Sequence, residues 1–86
     1  MSLTQIRSFV AVAEEASVSR AARRLAISQP PLTRQIHDLE DELGVRLFAR
    51  TPRGMRLLPP GEVFLGHART ILAAVDRAAT DPALKS

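Results

Sequence analysis

At 86 residues the chain can bury one compact core and no second one. It has no cysteine, and its two histidines, His37 and His67, lie far apart without carboxylates at ligand spacing, so disulfide and metal chemistry are set aside and no cofactor is expected. No basic segment leads into a long apolar run, so neither a signal peptide nor a membrane span is read, and a cytoplasmic protein is expected. The formal net charge is only +3, but all the basic residues except Lys85 are arginine. Arg20, Arg23, Arg24 and Arg34 occupy an acid-free stretch between Ala16 and His37, and Arg46, Arg50, Arg53 and Arg56 a second between Leu43 and Gly61. Asp38, Glu40, Asp41 and Glu42 cluster between the two, which predicts a basic side and an acidic remainder.

In chain order, Leu3, Ile6, Phe9, Val10 and Ala13 recur at helical spacing and predict the inner face of a first helix over 3–15, with Thr4, Arg7, Glu14 and Glu15 turned to water. Ser17 and Ser19 are two candidate N-caps for a short second helix whose apolar stripe is Val18, Ala21, Ala22 and Leu25. Its alanines permit a close helix crossing. Ala26 and Ile27 read as a turn, with Ile27 plugging the gap between helices.

The stretch 28–43 is the most strongly patterned in the chain. Leu32, Ile36, Leu39 and Leu43 fall on one stripe at about 100° per residue. Thr33, Arg34 and His37 lie opposite, with Pro30 in line. Ser28 stands where an N-cap belongs, and Pro30 and Pro31 suit a first turn because their missing N–H groups have no partner to lose there.

Gly44 suits a left-handed helix stop. A hairpin is then predicted from runs at 45–50 and 55–58, separated by Thr51, Pro52, Arg53 and Gly54, which would form a wing with Arg53 at its tip; an ordinary surface hairpin is the alternative. Pro59 and Pro60 introduce a long last helix reaching Ala79 or Thr80, stopped before Asp81 and Pro82. Phe64, Ala68, Ile71 and Val75 form a heptad-like seam on it, with Leu65 and Leu72 beside them, so a partner is expected along this helix.

The motifs at 17–22, 28–36 and 39–50, with Gly61 and Glu62, resemble the N-terminal DNA-binding domain of LysR-type transcriptional regulators over nearly the whole chain. The resemblance implies a mainly α fold, a winged helix-turn-helix of three helices and a two-stranded wing, followed by a linker helix. The division is 1–58 for the reading domain and 59–86 for the linker helix and tail. The partners implied are double-stranded DNA carrying an interrupted inverted repeat and a second copy of the chain, paired through Phe64, Leu65, Ala68, Ile71, Leu72 and Val75; a tetramer is compatible with it in an intact protein. A separate effector-binding domain is also implied, and it is absent from these residues. Where such proteins commonly place Thr before the linker helix, this chain has Leu58.

Base reading is expected from Gln29, Pro30, Pro31, Thr33 and Arg34 in the major groove, where arginine can donate twice to guanine O6 and N7, and from Arg53 in a narrow minor groove. Ser19, Arg20, Ser28, His37 and Arg50, with the first-turn N–H groups of the helices, are expected at phosphates. The rival class is a helical interaction module whose arginines only solvate it; steep salt dependence of duplex binding separates the two. Catalysis is not expected, because no carboxylate pair beside a histidine and no glycine-rich phosphate loop is present.

Overall fold

The computed structural model describes residues 1–85, in the order α1 (Leu3–Glu15), α2 (Val18–Leu25), α3 (Gln29–Leu43), β1 (Phe48–Thr51), β2 (Gly54–Leu57) and α4 (Pro59–Thr80), closed by a 3-10 turn at Pro82–Lys85. This is a winged helix-turn-helix followed by a long helix.

Helix α1 is the central element. It begins at a capping box in which the Ser2 hydroxyl accepts from the Gln5 N–H at 3.1 Å and the Gln5 side chain accepts from the Ser2 N–H at 2.9 Å, so two orphan donors are satisfied at once. Ile6, Phe9, Val10, Ala11 and Val12 are buried along it, and α2, α3 and α4 all pack against it. Ser8 is buried too, and its hydroxyl donates to the Gln35 side chain of α3. Leu3 departs from the expected inner face and is exposed, because the core begins one turn further on, at Ile6.

All three phenylalanines meet at one junction. The Phe9 ring lies 5.3 Å from Phe48 of β1 and 5.0 Å, edge to face, from Phe64 of α4. The wing and the last helix are therefore both docked on α1 by aromatic contact. An ion-pair cluster ties the same helices at the surface, with Glu14 bound by Arg24 of α2 at 2.8 Å and by Arg69 of α4 at 3.0 Å. Hydrogen bonds from Arg69 and Arg24 hold the Glu14 carboxyl below its ordinary range.

The wing is smaller than the apolar runs predict. β1 and β2 pair antiparallel with Phe48 opposite Leu57 and Thr51 opposite Gly54, leaving Pro52 and Arg53 as a two-residue loop. Residues 45–47 do not join the sheet because the Leu47 N–H is engaged elsewhere, by the Glu40 side chain. Gly54 has φ 127°, and a Cβ there would lie 2.4 Å from the Ala16 carbonyl oxygen, which itself accepts from the Met55 N–H at 3.0 Å. The wing thus leans directly on the α1 C-cap.

Helix α4 starts after Leu58, which offers no side-chain cap, and Pro59 and Pro60 hold its first turn. Gly61 is buried beneath this turn; a Cβ would lie 2.2 Å from the Leu47 carbonyl oxygen. At about 1.5 Å per residue the helix runs roughly 33 Å, and the molecule measures 52 Å along its long axis against 26 and 19 Å across. No helix among the described residues is long and apolar enough to cross a membrane.

Candidate nucleic-acid interface

The reading face is built from α2, the turn after it and the start of α3. Ser17, not Ser19, caps α2, its hydroxyl accepting from the Arg20 N–H at 3.1 Å; the Ser19 hydroxyl lies 3.1 Å from that of Ser17. Ala21 and Ala22 are buried, which brings α2 down onto its neighbours. Ala26 takes a left-handed conformation, φ 57°, and the Ile27 N–H reaches back to the Ala22 carbonyl at 3.0 Å, closing α2 with a Schellman pattern. The expected plug is corrected here: that backbone bond turns the chain outward, and Ile27 is 38% exposed.

Helix α3 buries Leu32, Ile36 and Leu39 as the stripe predicts, with Leu43 half-buried at its end. Gln29, Pro30, Arg34 and His37 are exposed and Pro31 and Thr33 half-buried; at about 100° per residue Pro30, Thr33, Arg34 and His37 fall on one accessible face, with Gln29 and Pro31 on its flanks. The Arg34 side chain makes no hydrogen bond or ion pair among the described residues and is exposed. Ser28 occupies the N-cap position with extended backbone, but its side chain makes no cap bond.

Pro30 and Pro31 limit the main-chain donors at the α3 N-terminus. Of the four N–H groups a helix leaves free at its start, two are missing here, so only those of Ser28 and Gln29 remain as donors. Side chains make up most of the donors at this end.

Ser17, Ser19, Gln29, Arg50 and Thr51 line one cleft where α2, α3 and the wing converge, bringing together three of the expected contact residues from separate elements. Arg50 is exposed on β1. His37 shares a second cleft with Arg50, Thr33 and Arg46, and also borders an open groove with Glu40, Asp41 and Arg46. Arg53 is exposed at the wing tip, where its N–H donates to the Thr51 hydroxyl at 3.2 Å and its guanidinium has no partner among the described residues.

Not every arginine of the basic blocks is free. Arg24 binds Glu14 and Glu15, and the Arg20 guanidinium donates to the Glu15 carbonyl, so both are partly occupied by α1. The acids are likewise not all solvated: Glu40 is 7% exposed and accepts backbone hydrogen bonds from Leu47 and Phe48. Sequence reasoning placed Glu40 in an acidic surface because buried carboxylates are rare unless paired, and backbone donors leave no mark in a sequence.

The expected outward seam on α4 is corrected as well. Ala68 is fully buried, and Phe64 stacks on Phe9. Leu65, Ile71 and Leu72 are half-buried against the same core. At about 100° per residue both stripes merge into one broad face, and its first half is covered by the chain's own α1. Val75 is half-exposed and does not join the core, and Ala73, Ala74, Ala78 and Ala79 are exposed.

Fold and free polar face together define a bacterial regulatory helix-turn-helix. A family model described as bacterial regulatory helix-turn-helix protein, lysR family, matches residues 3–62. The chain belongs to that family. It is 57% identical over 81 residues to the transcriptional regulator TfdS of Cupriavidus pinatubonensis, which covers 90% of this chain and 28% of TfdS. Among solved structures it is similar to the BenM DNA-binding domain in complex with catB site 1 DNA, with TM-score 0.90 and 45% identity over 93% of this chain and 90% of that one. The CbnR DNA-binding domain in complex with DNA matches at TM-score 0.89 and 46% identity, covering 92% and 91%. The chain spans less than a third of the length of TfdS.

Proposed function

We propose that this chain is the DNA-binding module of a LysR-type transcriptional regulator and reads an interrupted inverted repeat in double-stranded DNA as a homodimer. The observation that carries the reading is the exposed polar face of α3, where Arg34 stands free of protein partners beside Gln29, Pro30 and Thr33. A long arginine left uncompensated at the start of a helix is suited to the paired acceptors of guanine, and the methyl and ring carbons of Thr33 and Pro30 to a thymine methyl. Ser19, Gln29 and Arg50 around the cleft would hold backbone phosphates and set register. Arg53 at the wing tip would lie in the adjacent minor groove.

In this division residues 1–58 read and residues 59–86 join. The boundary separates roles and not cores, since Phe64 and Ala68 complete the packing of α1. The uncovered end of α4, with Val75, Ala78 and Ala79, would be covered by a second copy, and a two-fold axis there sets two α3 helices against two half-sites about one turn apart. The BenM and CbnR domains similar over nine-tenths of this chain are DNA complexes, which supports this reading over the interaction-module alternative.

The test is duplex binding at several salt concentrations. A DNA reader loses affinity linearly on logarithmic axes, with a slope of about 0.9 per neutralised phosphate, and retains a preference for one sequence throughout. Flat salt dependence and no sequence preference would leave the chain a helical interaction module.

A further inference from the structure

One buried charge has no place in the reading face. Glu40 is 7% exposed, has no cationic partner among the described residues, and sits on the inner side of the helix that carries Arg34. Its Oε2 accepts from the Leu47 N–H at 2.7 Å and the Phe48 N–H at 3.3 Å. Its backbone carbonyl accepts from Gly44 at 2.8 Å and Val45 at 3.3 Å, so one residue of α3 binds the following segment at four points. The peptide held this way is bonded on its other side too: the Leu47 carbonyl accepts from the Leu58 N–H at 2.9 Å, and Gly61 packs over it. Leu47 is therefore a junction at which α3, the wing and the first turn of α4 meet.

A buried carboxylate is costly to desolvate, and an apolar residue would fill the same space without that cost. What the charge supplies is direction: hydrogen bonds to an ionised acceptor are short and roughly twice as strong as neutral ones. We infer that Glu40 is a positioning residue that fixes the wing and the start of α4 relative to the recognition helix, so that what Arg53 contributes to binding depends on Glu40 while what Arg34 contributes does not. The inference rests on the proposed reading in that both Arg53 and Arg34 contact DNA.

Two measurements on the 86-residue chain test it. In the first, Arg53→Ala and Arg34→Ala are each combined with Glu40→Ala and with Glu40→Gln, and binding to one cognate duplex is compared. The Arg53→Ala loss is expected to shrink by about threefold or more in the Glu40→Ala background, and the Arg34→Ala loss to stay unchanged. Glu40→Gln keeps a carbonyl oxygen for the same two donors, so it restores most of the Arg53 effect. An Arg53→Ala loss of equal size with and without Glu40 overturns the inference.

The second measurement needs no DNA. Amide hydrogen exchange in Glu40→Ala is expected to accelerate at residues 47–57 and at Leu58, and far less in Glu40→Gln, while Phe9 to Val12 of α1 stay protected. Uniform acceleration across the chain would make Glu40 a contributor to global stability alone and overturn the positioning role. If Arg53→Ala changes nothing in the otherwise unaltered chain, the wing contact in the proposed function fails, and the exchange pattern still decides the role of Glu40.

Discussion

Helices α3 and α4 both bury an apolar stripe against α1, and they differ in what they leave uncovered. The free face of α3 is polar and carries Arg34, which has no partner among the described residues. The free end of α4 continues its own apolar stripe beyond the core, through Val75, Ala78 and Ala79. A stripe identifies what a helix hides; the remainder identifies what it waits for. Polar donors in fixed array suit a nucleic acid, and surplus apolar surface suits another protein surface.

The largest expected effect breaks the anchoring of α4. Gly61→Ala places a methyl group against the Leu47 carbonyl and should destabilise the fold by about 3 kcal/mol, because the Leu47 backbone cannot give way as the Leu57 methyl beside it could. Urea unfolding measures it; a change below about 0.5 kcal/mol would show that α4 is not seated on Leu47 in solution.

Next, Arg34→Ala should cost about 1–3 kcal/mol on the cognate duplex and flatten the preference among sequences, whereas Arg50→Ala should weaken all duplexes alike. Competition binding tells the two apart. Equal loss on cognate and random DNA for Arg34→Ala removes it from base reading.

The α4 side of the comparison is sharpened by Val75→Glu, chosen because Val75 lies off the core while Ile71 packs on it. Dimer dissociation should rise by about tenfold or more with folding intact, since each dimer would bury two carboxylates. Sedimentation at matched concentrations checks this, and an unchanged association places the interface elsewhere.

The smallest effect concerns the surface tie between α1 and α4. Because Arg69 and Arg24 lower the pKa of Glu14, the stabilisation is complete above its ordinary value of 4.5 and is lost as pH falls through the lowered value. Glu14→Gln should therefore be less stable than the parent near neutrality by under about 1 kcal/mol, the pair being solvent-screened, and the difference should vanish in acid. Thermal unfolding across that range is the measurement; a difference that persists in acid would mean that the charge on Glu14 is not its source.

Much of this was legible because periodicity is local. The α1 limits, the stop at Gly44 and the inner stripe of α3 all follow from spacing and from the residues that cap or end a helix. What spacing cannot give is which element covers a stripe. Phe64 and Ala68 were assigned to a partner because their seam looked free, and only the return of α4 onto α1 shows that the chain covers it itself. Leu3 and Ile27 failed for a related reason: each sits at an element end, where the apolar face runs out of neighbours. Arg34 and Arg53 are exposed as expected, whereas the bonds of Arg20 and Arg24 to α1 depend on a helix crossing no local pattern encodes.

The meeting of Phe9, Phe48 and Phe64 has an optical consequence. The chain has no tryptophan and no tyrosine, so its entire aromatic complement is concentrated where the wing and α4 dock on α1. Near-ultraviolet dichroism, weak as phenylalanine makes it, is therefore a single-site signal that follows this docking apart from the helical content seen at shorter wavelengths. The protein carries its own built-in reporter of whether its two outer elements are seated, and no extrinsic label is needed to follow them.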